Sequence, residues 1–173
     1  GVQTCALPIS VFQGQARVYG LDLLFKKYFG RHEAWASYTL SKTEEFFPYF
    51  PVDAYEYAPQ DQRHEIKGAL LINLKPFFLS ANYVYGSGFP ERPTFFQEEE
   101  ERYPYSRLDA AFIYQHSVKN YHFEAGISIL NILNTENIKQ SNFIRIPGAQ
   151  SGSISIHAEA VPFTPTIYMN VSF

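Results

Sequence analysis

The residues best suited to bind a ligand form one strongly aromatic run, from Phe46 to Pro59. Its rings can stack on a chelate, a glycan or a peptide, because aromatic side chains bury a large area with few rotors to immobilise. The same rings would serve equally well to pack the loop against its neighbours. The sequence leaves both roles open, and the candidate ligand contacts are Tyr49, Phe50, Tyr55 and Tyr57.

The groupings of residues that enzymes use are missing from the sequence. The five histidines show no His-x-x-x-His spacing, and there is no Gly-x-Ser-x-Gly elbow or phosphate-binding glycine loop. The single cysteine, Cys5, allows neither an internal disulfide nor a cysteine metal site. The carboxylates of Glu98 to Glu101 lack calcium-loop spacing and are interpreted as a solvated loop tip. We therefore predict no enzymatic activity, no cofactor and no bound metal.

Charge and composition exclude further classes of protein. A net charge of −3 without a basic cluster argues against nucleic acid as a partner, because phosphate binding needs grouped Lys and Arg. No apolar run approaches the ~18 residues that a membrane-spanning helix needs. The 16 Phe and 13 Tyr, against one Trp and one Met, favour strands.

The first nine residues, GVQTCALPI, resemble the translation of a sequencing-library adapter. We therefore leave residues 1–9 out of the fold prediction and treat 10–173 as one domain that continues upstream. The alternative is a short natural strand or linker. If the adapter origin is right, deleting 1–9 will leave folding unchanged.

Polar and apolar residues alternate in seven segments, which predicts seven β-strands. In the sixth segment Tyr121, Phe123 and Ala125 lie on one face, and His122 and Glu124 lie on the other. A further extended pair, 139–146 and 153–160, is interpreted as a projecting hairpin. The seven segments are 17–27, 32–43, 61–75, 77–86, 105–116, 121–131 and 164–173.

Short and long connections alternate between these segments. The links at 28–31, 75–76 and 117–120 are short, whereas 44–60, 87–104 and 132–163 are long. In an antiparallel meander this places every long loop at one end and every tight turn at the other, as in outer-membrane barrels. Strands of ~10 residues also match a tilted crossing of a membrane. A soluble antiparallel β-sandwich, such as a carbohydrate-binding module, would give the same alternation along its strands.

Six short motifs occur in order over residues 19–173, and together they resemble the C-terminal part of a TonB-dependent outer-membrane receptor. The resemblance is to the Bacteroidetes-type receptors that carry a carboxypeptidase-regulatory-like module. The motifs are Ser37–Lys42, Asp61–His64, Tyr85–Pro90, Tyr105–Asp109, Asn131–Asn137 and Pro162–Pro165, followed by the terminal Phe173.

This resemblance implies an all-β fold, in which seven antiparallel up-and-down strands form part of a barrel of about 22 strands. It implies a plug upstream, energised by the TonB complex, and uptake of a scarce, bulky solute from outside the cell. The expected location is the Gram-negative outer membrane, with its lipid as a partner. Recognition by the barrel-assembly machinery is expected through Met169, Val171 and Phe173.

Several residues have predicted structural roles in such a wall. Aromatic rings near strand ends can place their bodies in lipid and their polar atoms in the headgroup layer. The Asp and Arg of Asp61–His64 and Arg107–Asp109 are expected to exchange hydrogen bonds between neighbouring strands. The predicted girdle residues are Tyr19, Phe25, Tyr38, Phe77, Tyr85, Tyr114 and Tyr121.

Overall fold

A computed structural model describes residues 13–49, 53–90, 102–145 and 153–173. In these ranges the chain forms strands, turns and irregular links, with no helix long and apolar enough to cross a membrane. Three features of the sequence lie outside the described residues: segment 1–9, the candidate ligand contact Phe50 and the acidic run Glu98–Glu101.

The described residues form ten β-strands. All seven predicted strands and the predicted hairpin are present, while the short β3 was not predicted. The strands are β1 (Gln15–Phe29), β2 (His32–Phe46), β3 (Glu56–Tyr57), β4 (His64–Leu74), β5 (Phe77–Gly86), β6 (Tyr105–Val118), β7 (Tyr121–Leu130), β8 (Ile138–Arg145), β9 (Ser153–Glu159) and β10 (Thr164–Ser172).

Eight of these strands form one antiparallel sheet in the order β1-β2-β4-β5-β6-β7-β10, with β3 beside the end of β2. Strands β8 and β9 pair separately as a hairpin. The prediction of an all-β, antiparallel, up-and-down fold is therefore confirmed. The sheet is open, because β1 and β10 each pair with one neighbour in the described part of the chain.

The pairing keeps the two faces of the sheet distinct from one edge to the other. Asp22 is opposite Thr39, which is opposite Glu65. Farther along, Asn82 faces Asp109, and Glu124 pairs with both Gln115 and Asn170. A slip of one residue would have moved a whole strand's polar set to the other face. We call this side the polar face and the opposite side the apolar face.

The apolar face has no protein layer over it among the described residues. Leu21, Phe112 and Ile127 lie on this face and remain exposed, and Met169 is 70% exposed. Among the described residues outside β8 and β9, Ala58 is the one hydrophobic residue that is buried. Over the ranges that the structure describes, the sheet therefore has no conventional hydrophobic core on either side.

The polar face also contains an apolar patch that the alternation did not predict. Phe78 is opposite Ile113, and Ile113 is opposite Gly126. The ring of Tyr168 covers Gly126, where an added Cβ atom would clash with the ring. Its hydroxyl donates a hydrogen bond to Glu124 at 3.0 Å. An aromatic ring over a strand glycine fixes the pairing of the two strands.

Aromatic rings cluster towards both ends of the apolar face. At the end with the tight turns, the Phe77 ring lies 5.6 Å from Phe112 and 5.3 Å from Tyr114. At the end with the long loops, Tyr38 stacks on His64 at 6.1 Å. All seven predicted girdle residues lie on this face in the observed pairing. We call the two ends the turn end and the loop end.

Candidate functional site

The aromatic run returns to the sheet at the loop end, where β3 pairs with the last residues of β2. Tyr57 is opposite Glu44, and Glu56 is opposite Glu45. The Ala58 amide donates to the carbonyl oxygen of Thr43 at 3.0 Å, which extends this pairing. The second half of the loop is therefore fixed against β2.

Glu44 is the centre of an ionic cluster beside this pairing. Its carboxylate accepts hydrogen bonds from Lys42 Nζ and Arg17 Nε, each at 2.8 Å. Both hydrogen bonds lower the pKa of Glu44, and the bond from Lys42 has the larger effect. The same bonds raise the pKa values of Lys42 and Arg17. Glu44 lies four residues beyond Leu40, outside the continuous apolar part of β2.

Two tyrosine rings lie against the cations of this ionic cluster. The Arg17 guanidinium is 4.0 Å from the centre of the Tyr55 ring, and Lys42 Nζ is 5.3 Å from that of Tyr57. Arg102 also lies over Tyr57, at 5.0 Å. Attraction between a cation and an aromatic face stabilises such contacts. The Tyr55 hydroxyl donates to Gln15 Oε1 at 3.0 Å, which fixes its ring further.

Asp61 is fully buried at the base of the same loop. Its Oδ1 accepts a hydrogen bond from the Thr43 amide at 2.6 Å, and its Oδ2 accepts one from Arg102 Nη2 at 3.1 Å. Arg102 also donates to the Asp61 carbonyl oxygen at 3.3 Å. A buried carboxylate with both oxygens bonded is stable, but losing either partner is costly. We call the group of Arg17, Lys42, Glu44, Tyr55, Tyr57, Asp61 and Arg102 the loop-end network.

The candidate ligand contacts divide into two groups. Tyr55 and Tyr57 come together in the loop-end network, and their contacts with cations of the chain favour the self-packing role. Tyr49 is 66% exposed. Tyr57 pairs with Glu44, which is on the same face as Leu40, so its ring extends the apolar face. The ring of Tyr57 therefore lies on the apolar side of the sheet.

Two buried asparagines, Asn131 and Asn137, form a second anchor at the loop end. The Asn131 side-chain amide donates to the carbonyl oxygens of Thr135 and Val161 at 3.0 and 3.1 Å. Asn137 accepts from the Ser106 amide at 2.7 Å and donates to the Ser106 carbonyl oxygen at 2.9 Å. These amides tie the β7–β8 link to β6 and to the segment before β10.

Asp109 connects this anchor to the polar face. Its carboxylate accepts a hydrogen bond from Arg107 Nη2 at 2.6 Å and another from the backbone amide of Asn131 at 2.9 Å. The sequence had predicted that Arg and Asp bond between neighbouring strands. That prediction is wrong for this pair, because Arg107 and Asp109 lie two residues apart on β6 and point to the same side.

The predicted assembly residues lie on the edge strand β10. Met169 and Val171 are on the apolar face, opposite Ala125 and Phe123, and Phe173 follows the strand with 95% of its side chain exposed. One long edge of β10 is unpaired among the described residues. The geometry therefore presents three apolar side chains beside an open edge.

In the part of the chain that the structure describes, no three His, Cys, Asp or Glu side chains are grouped to hold a metal ion. The groups at the loop end are aromatic faces, paired charges and buried amides, and the charges and amides are bonded within the chain. Comparisons with family models, curated proteins and solved structures found no match to this chain.

Proposed function

We propose that this sheet forms part of the wall of a TonB-dependent receptor in a Gram-negative outer membrane. In this proposal the whole receptor binds a scarce, bulky solute, such as a metal–siderophore chelate, a glycan or a peptide, at its extracellular loops. A plug upstream of this sheet then rearranges under the action of the TonB complex and admits the solute. The sheet itself contributes the lipid-facing wall and part of the extracellular surface.

The observation that carries this proposal is the uncovered apolar face. A soluble β-sandwich buries such a face against a second sheet. The other sheet in the described ranges is the two-stranded hairpin β8–β9, which is too small to cover seven strands. Lipid is the solvent in which exposed Leu, Ile and Phe side chains are stable, and alternation with a polar face is the pattern of a barrel wall.

The height of the apolar face supports the same proposal. Phe77 and Tyr85 lie eight residues apart on this face of β5, which corresponds to ~27 Å along the strand. A tilt of ~40° reduces this to a height of ~20 Å, close to the ~25 Å apolar band of known barrels. Aromatic rings at both limits match the girdles that mark the two membrane surfaces.

The open edges of the sheet support a larger barrel. Unpaired backbone groups cannot remain in lipid, so β1 and β10 need further strands beside them. The proposal supplies these strands from the rest of the receptor. The apolar side chains of Met169 and Val171 on β10, with Phe173 directly after the strand, serve as the signal that the barrel-assembly machinery reads.

Site-directed spin labelling of the intact protein in vesicles tests the location of the sheet. Labels at Leu70, Ile127 and Met169 should report lipid, whereas labels at Lys67, Glu124 and Asn170 should report water. Burial of both sets in protein would support the sandwich. Binding of the intact protein to the periplasmic domain of TonB tests the transport step, and its absence would remove the receptor from consideration.

The ligand role of the aromatic run requires a separate test. We expect the combined change of Tyr49, Tyr55 and Tyr57 to Ala to leave the amount of protein in the outer membrane roughly intact and to weaken binding. The assay is binding of ferric chelates, oligosaccharides and peptides to intact cells. The single change Tyr49→Ala, at the most exposed of the three rings, shows how much of the loss arises outside the loop-end network. Normal binding by the triple variant would show that the run only packs on itself.

A further inference from the structure

Each of the three tight turns carries a cation at its tip. Arg31, Lys75 and Lys119 occupy turn positions, and Lys27 lies near the end of β1 beside the first turn. All four side chains are exposed. No ion pair with a carboxylate involves any of them among the described residues. The carboxylate nearest the first turn is Glu33, and it is bound to Lys26 at 2.6 Å.

Lys27 lies on the apolar face. It is opposite Ala34, and its neighbours on the same face of β1 are Phe25 and Phe29. A lysine there can run its alkyl stem along apolar surface and hold its ammonium group at the membrane boundary. This cation is therefore directed towards lipid headgroups and away from a lumen.

Lys119 occupies a backbone conformation that lysine rarely adopts. Its φ is 54°, in the left-handed region, where glycine or asparagine is the usual choice. The first turn has Gly30 at a φ of 64°. A residue kept at a local conformational cost points to a role of its side chain. At this turn tip the side chain supplies an exposed ammonium group.

Aromatic rings lie just inside this row of cations. The Phe77 ring lies against Phe112 and Tyr114 on the apolar face, and Tyr114 also stacks on His116 at 6.2 Å. Rings of this kind mark the headgroup level of a membrane. The cations at the turn tips therefore lie where lipid phosphate groups would be.

We propose that the turn end binds the phosphate groups of anionic phospholipids in the membrane leaflet beside it. The proposal rests on the proposed function, since it requires that the apolar face spans a membrane. Lys27, Arg31, Lys75 and Lys119 supply the positive charges, and the aromatic rings position the sheet so that these charges meet the headgroup layer. An acidic soluble protein would fit less well, because Lys27 lies on the lipid-facing side.

The test measures which lipids stay bound to the intact protein. The protein is inserted into vesicles of phosphatidylcholine with or without phosphatidylglycerol and extracted in mild detergent, and the retained lipid is counted by mass spectrometry. The test variant is K27Q/R31Q/K75Q/K119Q. The matched control, K27R/R31K/K75R/K119R, exchanges the same side chains and keeps every charge.

We expect the wild type and the charge-keeping control to retain phosphatidylglycerol in preference to phosphatidylcholine. The neutral variant should lose this preference by more than the roughly fivefold effect of one cation at an anionic surface. High salt should weaken the preference of the wild type and leave the neutral variant unchanged. Equal retention by the neutral variant and the wild type overturns the proposal.

The same experiment separates this inference from the proposed function. If the wild type inserts and shows protected strands in both kinds of vesicle but has no lipid preference, the lipid site is wrong and the membrane wall stands. If the wild type inserts into neither vesicle, both proposals fail. Competition by soluble acidic polypeptide without any lipid preference would assign the row of cations to a protein partner and overturn the lipid site.

Discussion

The two ends of the sheet differ in how their cations are paired, with Lys26, bound to Glu33 beside the first turn, as the exception at the turn end. At the loop end, Arg17 and Lys42 share Glu44, and Arg102 and Arg107 each bind an aspartate. At the turn end, the four exposed cations have no carboxylate partner among the described residues. A cation that is paired within the chain fixes a loop in place. A cation left unpaired stays available to a partner outside the chain.

The two ends also differ in which residues adopt the left-handed backbone conformation. At the loop end, Asn131 and Asn134 adopt φ values of 52° and 49°, in the left-handed region that asparagine tolerates well. Lys119 adopts a φ of 54° at the turn end. Asn131 also uses its side chain inside the fold, whereas the Lys119 side chain is exposed. The loop end is therefore optimised for stability, and the turn end keeps a charge at some cost to stability.

The largest effect is expected from Asp61→Ala, which removes the most buried carboxylate of the loop-end network. The change removes the acceptor of the Thr43 amide and the ion pair between Asp61 and Arg102. Breaking a buried pair on one side costs about 3 to 5 kcal/mol. Denaturant unfolding of the intact protein in vesicles measures this loss.

Asp53→Ala is the matched control for Asp61→Ala, because Asp53 lies in the same loop and is exposed. An exposed substitution of this kind changes stability by at most about 0.5 kcal/mol. Equal losses in the two variants would show that the loop-end network does not stabilise the fold. The contrast between the two ends would then lose its energetic basis.

A smaller loss is expected from Leu70→Arg, in the apolar band that separates the two ends. Leu70 lies on the apolar face, opposite Ala34 and Ala81. A cation near the middle of the bilayer costs about 2 to 4 kcal/mol in a barrel. Lys67→Arg, on the polar face of the same strand, should have almost no effect. If Leu70→Arg is equally harmless in the same unfolding assay, the apolar face of β4 does not face lipid.

The seven main strands were predictable because polar and apolar residues alternate within each segment, so each strand can be recognised without reference to the others. The fifteen-residue β1 and β2 exceeded their predicted lengths. Strand β1 extends by two residues at each end, to Gln15 and Phe29, and β2 extends from Thr43 to Phe46, past the two charged residues Glu44 and Glu45. The two-residue β3 has no period of its own. It forms because β2 extends beyond β4 and leaves backbone groups that Glu56 and Tyr57 satisfy.

The loop-end network could not be predicted from spacing. Arg17 and Glu44 are 27 residues apart, and Asp61 and Arg102 are 41 apart, so only the pairing of the strands brings them together. The motif Asn131–Asn137 was visible as a resemblance, but its hydrogen bonds to Ser106 and Val161 depend on the same long-range pairing. The basic turn tips were visible as single residues and became a group only when the meander aligned them.

Acid should weaken the loop end selectively through Glu44. Its pKa is lowered in the folded state, so its contribution to stability is present above its unfolded pKa of about 4.3 and is lost as pH falls through the folded value. Glu44→Gln should therefore show a flatter loss of stability on acidification than the wild type. Identical pH profiles for the two proteins would mean that the bonds from Lys42 and Arg17 do not contribute to folding.

The smallest effect is expected from Lys119→Asn, which gives the turn end the residue type that the loop end uses in the same conformation. Asparagine relieves the left-handed strain, so stability should rise by up to about 1 kcal/mol in denaturant unfolding. Retention of phosphatidylglycerol should fall, because one of the four cations is gone. A rise in stability together with a fall in phosphatidylglycerol retention would show that Lys119 is kept for its charge, as expected where function costs stability. A loss of stability would instead mean that Lys119 supports the fold, and the contrast between the two ends would not extend to this turn.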